Sequence, residues 1–324
     1  MTENQSTTQQ ATGRNVALLF PGQGSQAVGM GRELYETFGE VRDIFGRADE
    51  AAGFALSKLC FEGPEEELKL TENTQPALLT CSFAAYIALG LLPNAGAGHS
   101  LGEYSAQVAA GGLRFEDAVR LVKQRGAFMQ EAVPAGAGSM AAILGMDVAA
   151  VAAGLKEVKK GVAEIANVNS DAQIVIAGSV DGVDEAVRVL NPPKSVLLPV
   201  SAPFHCSLMR PAEERLAPLL DATHFSDPRF PIITNVDAAE VRSGVGSRDA
   251  LRRQVSRPVR WAETMELLIA GMGVDFFVEV GPGRVLAQLV ARAGKKYGRR
   301  MEVYNVEDMA SLQKTRDAVA RIAR

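Results

Sequence analysis

The stretch Gly98-His99-Ser100-Leu101-Gly102 constrains this chain more than any other. It fits G-x-S-x-G, the pattern of a sharp turn from a strand into a helix with a serine at its apex. Such a turn holds the serine in a strained backbone conformation. The flanking glycines let strand and helix approach closely while the hydroxyl stands clear of both. The flanks agree: Ala95-Gly96-Ala97 is small and apolar, and Glu103 to Ala110 is compatible with a helix ending at Gly111-Gly112. Read alone, the pattern is short, and an ordinary glycine-bounded turn with an incidental serine has the same letters. What decides is whether the chain also supplies a base, an oxyanion site and a substrate anchor.

Several classes can be set aside first. The chain has 324 residues, 47% of them hydrophobic, enough for one large or two modest domains with a substantial core. Lys plus Arg number 34 against 38 Asp plus Glu, a net charge of −4, which argues against a general nucleic-acid binder. No apolar run approaches the length of a membrane span. Residues 1–14 are polar, rich in Thr and Gln, and lack the pattern of a signal peptide, so they read as a disordered tail. Cys60, Cys81 and Cys206 are widely spaced and form neither a zinc pattern nor a disulfide frame, which suits a reduced, cytoplasmic protein without a bound metal.

Along the chain, Asn15 to Phe20 reads as a buried strand that breaks at the turn Pro21-Gly22-Gln23-Gly24-Ser25-Gln26. Helical patterns follow over 31–52 and 63–70. Thr74-Gln75-Pro76 is expected to open a helix running to Leu91, apolar nearly all round and hence central. The elbow comes next, then a helix over 115–133 that contains Arg125. From Gly138 the texture becomes β-α-β-β-α-β, with a turn expected at Asn169-Ser170-Asp171, which is the ferredoxin-like pattern. Residues 136–203 are therefore assigned to a small inserted subdomain, and 15–135 with 204–324 to a large α/β subdomain. In the latter, strands are expected at 230–235, 275–280 and near Val303, with helices over 209–220, 261–270, 285–293 and from Leu312.

A serine hydroxyl is a weak nucleophile until a base takes its proton. The chain has three histidines. His99 adjoins the serine and should project elsewhere. His224 sits in a loop without a supporting motif. His205 lies in Pro203-Phe204-His205, where the insert returns to the large subdomain, and is the favoured base, with a structural histidine as the alternative. No carboxylate has the setting of a third triad member, and the residues alone do not choose the group that orients the ring. The amide of Leu101 can donate to an oxyanion, and the 21–26 turn is a source of a second donor. That turn also fits a relaxed dinucleotide fingerprint, Gly22-x-Gly24-x-x-Ala27, but no second strand ending in an acid follows about twenty residues on. Arg125 reads either as part of a solvated face or as a clamp for a carboxylate.

Taken together, Phe20-Pro21-Gly22-Gln23-Gly24-Ser25-Gln26, Thr74-Gln75-Pro76-Ala77, Gly98 to Tyr104, Arg125-Gly126 with Met129-Gln130, Pro203-Phe204-His205 and Glu279-Val280-Gly281-Pro282-Gly283 resemble the malonyl-CoA:acyl carrier protein transacylase family. They are similar too to the acyltransferase domains of polyketide and fatty-acid synthases. The resemblance runs from about Val16 to about Ala310; the first fourteen residues match nothing in it. It implies a hydrolase-like α/β core with a mostly parallel sheet and a ferredoxin-like insert. It implies that Ser100 is acylated, that His205 is its base, and that the amides of Gln23 and Leu101 form the oxyanion hole. Arg125 would hold the malonyl carboxylate, the Gln254 carbonyl would orient His205, and Asn169 would line the site. Phe204 before the histidine resembles malonyl-preferring domains. The implied reaction is a ping-pong transfer in fatty-acid synthesis, from malonyl-CoA to the phosphopantetheine thiol of acyl carrier protein, by a monomer without a permanently bound cofactor. Three other readings stand beside it: a serine thioesterase or esterase on a similar core, a polyketide-associated acyltransferase, and a non-catalytic binder of acidic carriers through Lys295, Lys296, Arg299 and Arg300.

Overall fold

The structure is a computed structural model and describes residues 9–10, 14–200 and 202–322. The expected tail falls mostly outside the described residues. Within it, Gln9–Gln10 pair in parallel with Leu91–Leu92, and Arg14 reaches Asp275 and Glu302.

The large sheet has six strands in the order Glu240–Val241, Ile232–Ile233, Ala95–Gly98, Val16–Phe20, Phe276–Val280 and Glu302–Val306. All pairs are parallel except the short edge pair at Glu240–Val241. The central strand shows why such strands read as continuous apolar runs. Val16, Leu18 and Phe20 face one helical layer with Val278 and Val280, while Ala17 and Leu19 face the other with Phe277 and Trp261. Both faces are covered, so neither alternate set can be polar.

Between Gly138 and Leu197 lies a second, antiparallel sheet of four strands, ordered Ala163–Ser170, Gln173–Ser179, Gly138–Leu144 and Lys194–Leu197. With the helices Val148–Leu155 and Val180–Leu190 it follows the β-α-β-β-α-β order of the ferredoxin-like pattern. One face, with Ala141, Ile143, Ile174 and Ile176, packs under those helices. The other, with Met140, Ala142, Val175 and Ala177, joins the main core. A backbone link adds to this seam: the amide of Val168 donates to Val259 O at 2.9 Å, and that of Val259 to Ala166 O at 2.8 Å.

Several expected elements differ in extent. The helix over 31–52 is two helices, Arg32–Thr37 and Gly39–Ala52, because Phe38 is extended and turns the second back. That return brings Phe45 edge-on to Tyr35. The helix expected over 63–70 is only Glu65–Leu68, and a further helix, Leu56–Glu62, precedes it across Gly63-Pro64. The apolar helix spans Thr71–Leu89, so Pro76 lies one turn inside it. Trp261–Glu266 continues as a π-helical turn over Leu267–Gly271. The strand expected at 230–235 is laddered only at Ile232–Ile233, and Asn235 leaves it for the elbow. The strand Ala163–Ser170 runs past Asn169, so the turn is Asp171-Ala172 rather than Asn169 to Asp171.

Candidate active site

The elbow forms where the strand Ala95–Gly98 passes into the helix Gly102–Ala109. Ser100 has φ 51°, in the left-handed region where a side chain is strained. Its glycine neighbours are fixed by contact. A Cβ at Gly98 would lie 1.9 Å from the backbone of Gly102, and one at Gly102 would lie 2.0 Å from Phe20 O. The strain at Ser100 is offset by Asn235, whose Oδ1 accepts from the Ser100 amide at 2.7 Å and whose Nδ2 donates to Gly98 O at 2.6 Å.

His205 is buried, with φ 61°, also left-handed. Its Nδ1 lies 2.9 Å from the backbone carbonyl of Gln254, a pure acceptor, so Nδ1 carries the proton. Nε2 is then the acceptor, and the Ser100 hydroxyl donates to it at 2.6 Å. Burial first, and then the neighbouring Arg125 charge, push the His205 pKa down to about 3. The resting ring is neutral and able to take the serine proton. Among the described residues no carboxylate completes a triad; a peptide carbonyl orients the base.

Arg125 is 1% exposed, so it does not belong to a solvated face. Its Nη1 donates to Gln75 Oε1 at 2.8 Å. Its Nη2 donates to Gln254 Oε1 at 2.9 Å and to Ser100 Oγ at 3.2 Å. The guanidinium lies 5.5 Å from the Tyr104 ring centre, and burial lowers its pKa from the usual value. A cation thus lies within one hydrogen bond of the reactive hydroxyl.

Gln23 and Leu101 flank this centre from two backbones in contact. A Cβ at Gly22 would meet His99 O at 2.5 Å, so the 21–26 turn is pressed against the elbow. Among the described residues neither the Gln23 nor the Leu101 backbone N–H has a hydrogen-bond acceptor within the protein, while the Gln23 side chain donates to Thr71 Oγ1 at 3.3 Å. The helix after this turn starts only at Arg32, unlike a dinucleotide-binding turn that leads straight into its helix. Asn169 reaches the elbow through His99, whose Nε2 lies 2.9 Å from Asn169 Oδ1 and whose ring packs on Trp261. It does not bond Ser100 or His205. Phe204 is buried beside the base. His224 is exposed and pairs only with Ser226 among the described residues.

Three site residues escaped the sequence reading. Gln75 and Glu103 sit within the quoted motifs but had no role, although the one carboxylate in a helix of otherwise uncharged residues is itself a signal. Asn235 stands at the end of a strand, where side chains that serve an elbow collect. Two of the four basic residues in the stretch near the C-terminus are engaged within the protein: Lys296 pairs with Asp171 at 3.0 Å and Arg299 donates to Ile269 O at 2.8 Å.

A strained serine on a strand-to-helix turn, a neutral histidine and a buried cation beside them define a serine acyl-transfer site. The acyl transferase domain family matches residues 17–321, and the chain belongs to that family of acyltransferases. It is 47% identical over 310 residues to the malonyl CoA-acyl carrier protein transacylase of Bacillus subtilis (strain 168), covering 92% of this chain and 95% of that protein. Its identity to the Escherichia coli (strain K12) protein of the same name is 46% over 284 residues, 85% of this chain and 92% of the other. Among solved structures it is similar to an acyl carrier protein S-malonyltransferase from Vibrio cholerae, with TM-score 0.89 and 43% identity over 93% of this chain and 99% of that one. A malonyl transacylase solved in complex with a type II polyketide acyl carrier protein gives TM-score 0.89 and 41% identity, over 94% and 99% of the two chains. Among the described residues no helix is long and apolar enough to cross a membrane.

Proposed function

We propose that this acyltransferase moves a malonyl group from malonyl-CoA to the phosphopantetheine thiol of an acyl carrier protein, through a malonyl ester on Ser100. The observation that carries this is the Arg125 fork at 3.2 Å from Ser100 Oγ, itself 2.6 Å from His205 Nε2. A malonyl group esterified there places its carboxylate within reach of the guanidinium. An acetyl group leaves the buried cation without that partner, a cost in selectivity. Relatives that bear the malonyl transacylase name, and one solved with its carrier protein, support the same reading.

In the first half-reaction Ser100 Oγ attacks the thioester carbonyl as His205 Nε2 takes its proton. The amides of Gln23 and Leu101 face the oxyanion, and the imidazolium returns the proton to the departing CoA sulfur. In the second half, His205 takes a proton from the carrier thiol, the thiolate attacks the ester, and Ser100 regains its proton. The chain needs no permanently bound cofactor for these steps. The reading places it in the cytoplasm as a monomer serving fatty-acid synthesis. A polyketide carrier is the second reading, favoured by the neighbour solved with one.

Mass spectrometry after exposure to malonyl-CoA tests the proposal. The expected result is one malonyl adduct on the peptide that contains Ser100, absent in Ser100→Ala. An adduct surviving in that variant would refute the scheme. With labelled malonyl-CoA, free malonate released as fast without carrier protein as label is transferred with it would favour the thioesterase.

A further inference from the structure

Beneath the elbow lies a carboxylate that the transfer steps do not use. Glu103 stands in the first turn of the elbow helix and is fully buried. Its Oε2 accepts from the Asn235 amide at 2.9 Å and from Gln254 Nε2 at 2.8 Å. Its Oε1 has no partner among the described residues. Burial pushes its pKa up to about 7, and the nearby Arg125 charge works the other way.

The Gln254 side chain joins this carboxylate to the acyl site. Its Nε2 faces three acceptors, Glu103 Oε2, Ser100 O at 3.0 Å and, at 3.5 Å, Asn235 Oδ1. Its Oε1 faces a group that can only donate, Arg125 Nη2, at 2.9 Å. A flipped amide would set NH₂ against guanidinium and carbonyl against carboxylate, so the chemistry admits one orientation. The charge-assisted bond to Glu103, at 2.8 Å, is the shortest and strongest of those that tie Nε2 down. Gln254 then presents its oxygen to the same guanidinium nitrogen that touches Ser100 Oγ.

We infer that Glu103 is a positioning residue for acyl selection: through Gln254 it holds the Arg125 fork in line with Ser100, so that a carboxylate-bearing acyl group is favoured over an uncharged one. This rests on the reading that Arg125 receives the malonyl carboxylate. Glu103 touches neither substrate nor the reacting atoms.

The test compares the full-length wild type, Glu103→Ala and Glu103→Gln for loading from malonyl-CoA and from acetyl-CoA, with thermal melts to confirm folding. Glu103→Ala is expected to lower malonyl kcat/KM about tenfold relative to acetyl kcat/KM, the size of one lost charge-assisted hydrogen bond. Glu103→Gln, which keeps an acceptor oxygen towards Gln254 and Asn235, should restore the ratio to within about threefold of wild type. Equal losses on both substrates, or no change on either, would overturn the inference, as would a glutamine variant as poor as alanine. If Glu103→Ala does not fold, Gln254→Leu removes both ends of the link, to Glu103 and to Arg125, while sparing the carbonyl that holds His205. It should lose the same preference, and an unchanged ratio would overturn the inference. Failure of the underlying reading is separable, because it appears in the wild type as no preference for malonyl.

Discussion

The two halves of the Ser100–His205 pair are held by different means. Ser100 is fixed by backbone contact: Gly98 and Gly102 leave no room for a methyl group, and the strand on one side and helix on the other cannot separate without loss of core. His205 stands in a loop leaving the second sheet and is held by individual hydrogen bonds. Gln254 O takes its Nδ1 proton, and Glu164 on the strand Ala163–Ser170 accepts from the Ser207 amide at 2.8 Å and from the Ser207 hydroxyl at 2.5 Å. Asn235 and Gln254 also bond the Ser100 peptide, but sterics set where the nucleophile stands, whereas the base depends on polar tethers. Damage to the first should be all-or-none and damage to the second graded.

That contrast can be broken at its strongest point. Gly102→Ala puts a Cβ against Phe20 O, a backbone atom that cannot swing aside. The expected cost is about 3 kcal/mol or more, with loss of acylation, read by denaturant unfolding and by malonyl adduct formation. A stable, active variant would show that the elbow can yield. Arg125→Ala is expected next, with malonyl kcat/KM down roughly a hundredfold and acetyl loading changed far less. Parallel kinetics on the two thioesters would expose a purely structural arginine.

Acid should reach the base before the nucleophile. The folded-state pKa of His205 is pushed from 6.5 to about 3, so between those values the unfolded chain binds the extra proton and stability falls as pH drops. From pH 7 to pH 5 this removes up to about 2 kcal/mol. Glu103 and Glu279, raised to about 7, shift stability the opposite way. The difference between wild type and His205→Asn in urea melts at the two pH values therefore isolates the histidine, and equal pH responses would contradict its burial as a neutral ring. The smallest effect belongs to the tether. Glu164 is partly exposed, so Glu164→Ala should cost about 1 kcal/mol and roughly a fivefold loss in kcat, with the Ser100 adduct still formed. An unchanged kcat would mean that the loop is held elsewhere.

The same division explains what could be read from residues alone. The elbow was legible because close backbone approach demands glycine, and the central strands because burial on both faces demands unbroken apolar runs. The insert was legible because its alternation of strand and helix follows a recognisable order. His205 emerged by elimination among three histidines. The Gln254 carbonyl could be named only by resemblance, since a backbone acceptor leaves no mark on residue type. Asn235 and Glu103 act through contacts formed when distant segments meet, and nothing local announces them. Phe38 breaks a helix for the sake of tertiary packing, which outweighs a pattern that runs smoothly through it.

The peptide carbonyl behind His205 has a consequence for which acceptor the acyl group meets. A carboxylate there would stabilise the imidazolium strongly and make the ring a stronger base; the neutral carbonyl does so less, and burial beside Arg125 outweighs it. Ser100 is held at hydrogen-bond distance from the ring, but an incoming acceptor is not, and between two such acceptors a weak base favours the more acidic. A thiol gives up its proton near pH 8.5, whereas bulk water holds its own to about 15.7. The ring therefore favours sulfur over water, and the chemistry of the orienting group itself inclines the site to pass an acyl chain along rather than spill it.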